Sequence, residues 1–188
     1  MTPQPDGLHA RKEAMARTRE SLIDAGLRLA ERTGLSGLSV NLIVADAGVA
    51  KGTFFHHFGD RASYLLALHR EFHDRLASRI QAAIGDMAPG RARLIAGAVA
   101  YLDGCLRDRA VRALLLEARA EPAVADEINR RNITNAELCQ PDFASLTHPY
   151  PRESARLWIG MTAEAALIEH QAGTALPEVR SALEHFLN

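Results

Sequence analysis

The residues best suited to chemistry lie in one short stretch of the chain, between Leu38 and Leu66. Within it, a lysine, a glycine, a threonine and two histidines follow one another closely around an aromatic side chain. These residues are Lys51, Gly52, Thr53, Phe55, His56 and His57. The lysine supplies a point charge, the hydroxyl and imidazoles supply hydrogen bonds, and the glycine lets the backbone approach a ligand closely. Such a set suits a surface that holds phosphate groups and meets the edges of bases.

A second candidate site is the pair His69 and His73, which are four residues apart with Glu71 between them. On a helix this spacing places both imidazoles on one face, as a zinc or nickel site requires. Two ligands alone make a poor site, so a histidine pair without metal is the competing interpretation. We therefore assign no metal ligand and no cofactor, and keep a metal-sensing protein as an alternative.

Five residues in the second half of the chain could line a cavity for a small molecule, although ordinary core packing explains each of them as well. They are Tyr101, Cys105, Trp158, Met161 and Glu164. Three polar side chains could orient such a ligand or simply lie at the surface, namely Glu117, Arg119 and His170. The pattern does not identify a ligand.

Bulk composition does not point to a particular partner. The net charge is −1, and the residues up to Arg61 include eight basic and seven acidic side chains. A nucleic-acid interaction must therefore depend on local arrangement. The sequence has no apolar run long enough for a membrane span and no signal-peptide pattern at its start. Its two cysteines lack metal-type spacing. We expect a cytoplasmic protein with reduced cysteines and no membrane contact.

Helices must position these residues, because apolar side chains recur at three and four positions throughout and no two-residue alternation predicts a strand. The proline-rich, polar residues 1–9 predict a disordered arm. The N-terminal helices are predicted at about 10–32, 40–47, 51–58 and 61–84. We expect Thr33-Gly34 to end the first, Ser39 to cap the second, Gly48 to end it, and Asp60 to cap the fourth.

The two short helices joined by a glycine-containing turn cannot bury much surface alone, so they must pack on the first and fourth helices. That arrangement is a helix-turn-helix, in which the second short helix lies in the major groove of DNA. The later helices are predicted at about 90–107, 109–119, 123–140, 151–172 and 177–187, with prolines at the joints and a loop at 141–150.

The expected fold is all-α with about nine helices. Residues 10–60 form a three-helix head that contains the helix-turn-helix at about 39–58. Residues 61–188 form a helical body for ligand binding and dimerisation.

Three segments carry a resemblance to a known family: TRESLIDAGLRLAERTG, LSV and AGVAKGTFFHHFGDRASYLLAL. Over about residues 16–70 they resemble the DNA-binding domain of the tetracycline-repressor (TetR) family, and the implied domain spans about 16–76. The resemblance implies that Ser39 contacts phosphate and that Lys51, Gly52 and Thr53 meet the groove edge. It further implies that Phe55, His56 and His57 lie along backbone and bases. Arg61 stands where the family usually has a phosphate-binding lysine.

The sequence departs from the family pattern at several positions. Phe55 replaces the usual tyrosine and so lacks a hydroxyl for phosphate. Ala50 replaces the usual serine cap of the recognition helix, which weakens that cap. A commonly charged pair in the second helix is replaced by Asn41 and Leu42, and Ala30 is smaller than the usual phenylalanine. An alternative role for His57 is to hold the junction with the fourth helix through a backbone hydrogen bond.

The resemblance also implies an inducer cavity in the body and dimerisation through the last two helices. Small residues in the helix over 151–172 would permit close approach of a second copy, and the last helix adds apolar side chains. The predicted dimerisation residues are Gly160, Ala163, Ala166, Leu167, Val179, Leu183 and Phe186. A role in the core of the single chain is the competing interpretation.

The sequence predicts a DNA-binding transcriptional regulator and not an enzyme. Its expected mechanism is that of a ligand-responsive repressor, which binds a palindromic operator as a homodimer and responds to a small-molecule inducer. A small helical enzyme is the alternative from another class, but the chain has no G-x-S-x-G, P-loop or H-E-x-x-H motif. A helical interaction module that does not bind DNA is the third possibility.

Overall fold

The computed structural model describes residues 5–187, and these residues form nine α-helices and no strand. A single 3-10 turn, Ala118–Ala120, separates the sixth helix from the seventh. The helices are α1 (Pro5–Gly37), α2 (Val40–Ala47), α3 (Lys51–Phe58), α4 (Arg61–Ile84), α5 (Arg91–Arg107), α6 (Arg109–Glu117), α7 (Pro122–Ser145), α8 (Pro151–Ala172) and α9 (Pro177–His185). The all-α prediction is confirmed.

The head consists of α1, α2 and α3 packed against the start of α4. The Ser39 hydroxyl accepts a hydrogen bond from the Leu42 N–H at 3.3 Å and so caps α2. Gly48 ends that helix with φ of 68°, a left-handed conformation that costs a glycine little. The Asp60 carboxylate accepts from the Ser63 N–H at 2.7 Å and caps α4. The sequence predicted each of these three end signals.

Aromatic rings fill the centre of the head. The Tyr64 ring lies 4.9 Å from the Phe54 ring and 4.8 Å from the Phe58 ring, measured between centroids. Its hydroxyl donates a 2.7 Å hydrogen bond to the Leu22 carbonyl of α1. Gly26 lies directly beside that hydroxyl, where any larger side chain would collide with it. The head is thus assembled around one tyrosine.

The body packs α5 to α9 around the rest of α4. The most extensive helix contacts are those of α7 with α8 and of α4 with α5, while α6 packs back against α1 of the head. Buried apolar side chains form one continuous core that extends from Leu22 in α1 to Leu187 after α9. Head and body therefore share buried surface.

The first helix is longer at both ends than the sequence predicted. It begins at Pro5, so residues 5–9 are helical where a disordered arm was expected; residues 1–4 lie outside the described residues. Proline suits a first helical position because its missing N–H would have no partner there. At the other end, the helix continues through Thr33 to Gly37, and the Thr33 hydroxyl bonds the Leu29 carbonyl at 3.0 Å.

The seventh helix also differs from prediction, because it continues through Pro141 to Ser145 where a loop over 141–150 was expected. The Asp142 carboxylate is buried and accepts hydrogen bonds from the Gly90 N–H at 2.8 Å and from Arg93 at 2.6 Å. These contacts hold the last turn in place. Pro141 and Glu137 are both exposed, so water can reach the carbonyl that the proline leaves unpaired.

Among residues 5–187, no helix combines the length and apolar character needed to cross a bilayer. Cys105 and Cys139 do not form a disulfide with each other.

Candidate DNA interface and ligand cavity

The helix-turn-helix has the geometry that the sequence predicted. The Val49 N–H donates to the Val44 carbonyl at 3.0 Å, which closes the turn between α2 and α3. Phe54 and Phe58 point into the core of the head and fix the rotation of α3. The opposite side of α3 is consequently turned to solvent.

That outer side presents most of the predicted contact residues together. Lys51, Gly52 and His56 are exposed, and Phe55 is 45% exposed. Their spacing along α3 places them on neighbouring turns of one face. A side-chain atom added at Gly52 would meet nothing within 4 Å, so the backbone there is open to a ligand. Thr53 is half-buried at the edge of the same surface.

The start of α3 has free backbone donors. Ala50 occupies the cap position and makes no side-chain cap hydrogen bond, as its replacement of serine predicted. The Thr53 N–H turns back to the Ala50 carbonyl at 2.9 Å. The remaining N–H groups of this first turn are available to an anion, and the helix dipole favours negative charge at the same point. The arrangement suits a phosphate.

His57 differs from its neighbour His56. It is half-buried, and its pKa is lowered, first by burial and then by the nearby charges of His56 and Arg19. A neutral ring is therefore favoured for His57 at neutral pH. Because His56 is exposed, it is better placed than His57 to reach phosphate or bases. The alternative backbone hydrogen bond from His57 to the α4 junction does not occur among the described residues.

Two predicted residues flank α3. Ser39 lies at the start of α2 with its hydroxyl engaged as the cap, and Arg61 is exposed at the first position of α4. Next to Arg61, the Ser63 N–H lowers the pKa of the Asp60 carboxyl. Polar groups therefore lie at the surface both just before α2 and just after α3.

Arg19 is a candidate that sequence reasoning did not single out. Its guanidinium lies 5.2 Å from the centroid of the Phe58 ring, at the end of α3. The preceding part of α1 also exposes Arg11, Lys12 and Arg17. The sequence showed these basic residues only as part of an unremarkable charge total, because the position of Arg19 beside Phe58 depends on the packing of α1.

The body contains a cavity of about 710 Å³ between α4, α5, α6, α7 and α8. Of the five predicted ligand residues, Tyr101 and Trp158 line it. The other three do not: Cys105 is buried outside the lining, Met161 packs on the core, and Glu164 is exposed. A sequence can place residues on one helix face, but it does not show which face meets the cavity.

The histidine pair lines the same cavity. The rings of His69 and His73 lie 4.3 Å apart. Burial, followed by neighbouring positive charge, lowers the pKa of His69 to about 4; burial and then His69 lower that of His73 to about 2. Across residues 5–187, no group of three or more histidine, cysteine or acidic side chains could hold a metal ion. The described residues thus supply no third ligand for the metal-sensing alternative.

The predicted dimerisation residues do not share one exposed surface. Ala166 and Leu183 are buried within the single chain, which supports the core role for these two. Ala163, Leu167 and Val179 are half-buried, whereas Gly160 is exposed and Phe186 is 64% exposed. Two further apolar residues of α8 are exposed that the sequence did not single out, Leu157 and Ile168.

Comparison with known proteins gives a family match for the N-terminal part of the chain. The family model described as "Bacterial regulatory proteins, tetR family" matches residues 22–68, which include the helix-turn-helix. Over this segment the chain is similar to the TetR family. This confirms the resemblance found in the sequence. The matched model is described as one of regulatory proteins, which favours a transcription regulator over the helical enzyme.

Individual known proteins match one segment of the chain or share its fold. The HTH-type transcriptional repressor AcnR of Corynebacterium efficiens is 32% identical over 63 residues, which span 34% of each protein. A transcriptional regulator from Rhodococcus sp. Rha1 has the same fold, with a TM-score of 0.76 and 22% identity over 90% of this chain and 93% of its own. The multidrug binding protein EbrR, complexed with imidazole, also has this fold, with a TM-score of 0.73 and 20% identity over 90% of this chain and 94% of its own.

Proposed function

We propose that this protein is a ligand-responsive repressor of the TetR family that binds a palindromic operator as a homodimer. The observation that carries the proposal is the outer face of α3, where Lys51, Gly52, Phe55 and His56 are exposed together on a helix-turn-helix. The name of AcnR, a transcriptional repressor, supports repression. The proposed place of action is the cytoplasm, where a bacterial operator lies.

In the proposed complex, α3 enters the major groove. Lys51 and the free N–H groups at the start of α3 hold a phosphate, while Thr53 and His56 meet base edges. Phe55 contributes apolar contact in place of a hydroxyl. The hydroxyl of Ser39 and the guanidinium of Arg61 contact the backbone on either side, and Arg19 extends the positive surface beyond the end of α3.

The proposed dimer pairs α8 and α9 of two copies. Leu157, Gly160 and Ile168 follow one another at steps of three and eight residues, which places them on one face of α8. Phe186 adds an exposed ring just after α9. A two-fold interface of this kind would bury these apolar groups against their own copies. It would also place two recognition helices about 34–36 Å apart, as successive major grooves require.

The proposed ligand response depends on helices shared by the cavity and the head. The cavity is lined by α4 and α6, and both helices contact α1. Arg75 of α4 pairs with Asp24 of α1 at 2.6 Å, which ties α4 to the head. A ligand that favours another position of α4 or α6 would change the separation of the heads and so lower operator affinity. EbrR, with the same fold, is named as a multidrug binding protein.

Fluorescence anisotropy with labelled palindromic DNA from the region upstream of the gene tests the proposal. We expect the affinity of the purified dimer to fall steeply with salt, because phosphate contacts release counterions. Lys51→Ala should abolish this binding and leave dimerisation intact. Arg107→Ala is the matched control, since it removes one positive charge from an exposed position in the body and should leave binding unchanged.

Two results would contradict the operator proposal. One is a failure to bind any palindromic upstream fragment at low salt. The other is an equal affinity of Lys51→Ala and the unaltered protein, which would favour an interaction module that does not use the α3 face for DNA.

A further inference from the structure

The cavity contains a buried positive charge without a carboxylate partner among the described residues. Arg112 of α6 lines the cavity and is only 3% exposed. Its Nε and Nη2 atoms are buried and have no hydrogen-bond partner among the described residues. Within the same part of the chain, no carboxylate lies within 4.0 Å of its guanidinium. Buried charged groups are normally paired and hydrogen-bonded, so this one requires an explanation.

The other arginines around the cavity do not share this condition. Arg93 pairs with Asp142 at 2.6 Å, and Arg131 pairs with Glu127 at 2.9 Å. Arg119 is exposed, so water solvates it. Arg112 is therefore the buried arginine of the cavity that no carboxylate among the described residues neutralises. An uncompensated charge of this kind costs stability, which is a common property of binding sites.

The groups nearest to Arg112 offer hydrogen bonds and an aromatic surface without negative charge. Its guanidinium lies 5.9 Å from the centroid of the Tyr101 ring. The Nδ1 atom of His69 is also buried and has no partner in the described chain. Because burial and nearby arginines lower the pKa values of His69 and His73, both rings are neutral at neutral pH. This end of the cavity favours a bound anion.

The rest of the lining is largely apolar. Aliphatic side chains from four helices and one indole ring form this wall: Leu76, Ile80, Ile84, Leu94, Leu115, Leu116, Ile128 and Trp158. A cavity of about 710 Å³ has the size of sites that hold drug-sized molecules. A molecule that fits both the charged end at Arg112 and the aliphatic wall has an apolar body and one acidic group.

We propose that the cavity binds an amphipathic organic anion whose acidic group pairs with the Arg112 guanidinium and whose apolar body lies against the aliphatic wall. The pairing neutralises the buried charge and satisfies its free donors, so the anion is held more tightly than a neutral molecule of the same shape. This inference rests on the proposed ligand-responsive function and specifies the chemical class of the ligand.

Two fluorescent dyes with the same ring system test the inference on DNA-free protein: anilinonaphthalene sulfonate, an anion, and N-phenylnaphthylamine, its neutral counterpart. We expect the protein to bind the sulfonate at least about ten-fold more tightly than the amine. Arg112→Gln should weaken sulfonate binding by about 10- to 100-fold and change amine binding by less than about three-fold.

Further variants separate the role of Arg112 from general charge and from folding. Arg112→Lys keeps the charge without the planar fork, so it should retain part of the preference for the sulfonate. Arg107→Gln removes an exposed guanidinium outside the cavity and should bind both dyes as before. Circular dichroism and the melting temperature show whether each variant is folded.

The inference is overturned if the two dyes bind equally, if neither binds, or if folded Arg112→Gln and Arg112→Lys keep the full preference for the sulfonate. Lys51→Ala separates this result from the operator proposal, because it should lose DNA binding and still discriminate between the dyes. If the unaltered protein binds operator DNA but binds the two dyes equally, the proposed ligand class is wrong and the operator proposal stands.

Discussion

Tyr64 shows how one side chain can join several helices. It belongs to α4, packs its ring between Phe54 and Phe58 of α3, and bonds the Leu22 carbonyl of α1. Burial raises the pKa of its phenol well above the usual value, so the hydroxyl remains a donor at any physiological pH. The α3 face therefore depends on this residue for its position.

Tyr64→Phe tests the contribution of that hydrogen bond. The change keeps the ring and removes the donor, so we expect the free energy of unfolding to fall by about 1 kcal/mol in urea denaturation. Tyr150→Phe removes a hydroxyl from an exposed ring and should change stability by less than about 0.5 kcal/mol. Equal stabilities of the two variants would show that the Tyr64 hydroxyl contributes nothing.

At the scale of the element, α3 is a helix that lacks a side-chain cap. Ala50 has the extended backbone of a cap residue, with φ of −73° and ψ of 149°, but its methyl group cannot accept a hydrogen bond. Ala50→Ser should therefore raise the free energy of unfolding by about 0.5–1 kcal/mol, measured in urea. Ala45→Ser, an exposed position inside α2, should lower it slightly because serine is a poorer helix former. If both serines destabilise, the cap argument is wrong.

A buried carboxylate joins α8 to α9. Glu169 accepts hydrogen bonds from the Leu176 N–H at 2.9 Å and from Arg180 Nε at 2.8 Å. Arg180 also pairs with Asp103 of α5 at 2.7 Å. Burial acts to raise the pKa of Glu169, but the hydrogen bonds from Arg180 and Leu176 outweigh it and lower the pKa. The ionised carboxylate is thus part of the folded state.

Glu169→Gln should lower the free energy of unfolding at pH 7 by about 3 kcal/mol, because it breaks a buried ion pair. The pKa of Glu169 is lower in the folded than in the unfolded chain, so its contribution is complete above the ordinary glutamate pKa of about 4.3. The contribution is lost as pH falls below that value. Urea denaturation from pH 7 to pH 3 should therefore show the two proteins converging, and a constant difference would refute the assignment. Glu164→Gln, at an exposed position of α8, is the control.

For the whole molecule, the proposed dimer follows from the apolar surface that the single chain leaves exposed. A side chain at Gly160 would meet nothing within 4 Å in the single chain, so the monomer can accept a larger residue there. Gly160→Glu should keep the helical fold and yield monomers in light scattering, because it places a charge in the proposed interface. Operator affinity should fall with the loss of the second head. Ala82→Glu, exposed on α4, should remain dimeric. If the Gly160→Glu variant remains dimeric, the proposed interface at this face of α8 is wrong.

The head was largely predictable because its helix ends are decided by neighbours in sequence. Ser39, Gly48 and Asp60 act within one turn of their own positions, so α2, α3 and α4 have the bounds that the sequence predicted. The outer face of α3 followed as well, since Phe54 and Phe58 mark its inner side. The two short helices and the spacing between them identified the helix-turn-helix without any structure.

The structure of the body was less predictable, because it depends on contacts between residues that are far apart in the sequence. The last turn of α7 is held by the contacts of Asp142 with Gly90 and Arg93, about fifty residues earlier, so the local signal of Pro141 was misleading. Arg112 looks like an ordinary arginine in an apolar helix until folding encloses it in a cavity without a carboxylate beside it. The sequence by itself therefore determined the family resemblance and the helix-turn-helix of the head, through local patterns. Only the tertiary structure decided which side chains share the cavity, because burial and charge compensation arise from packing between helices.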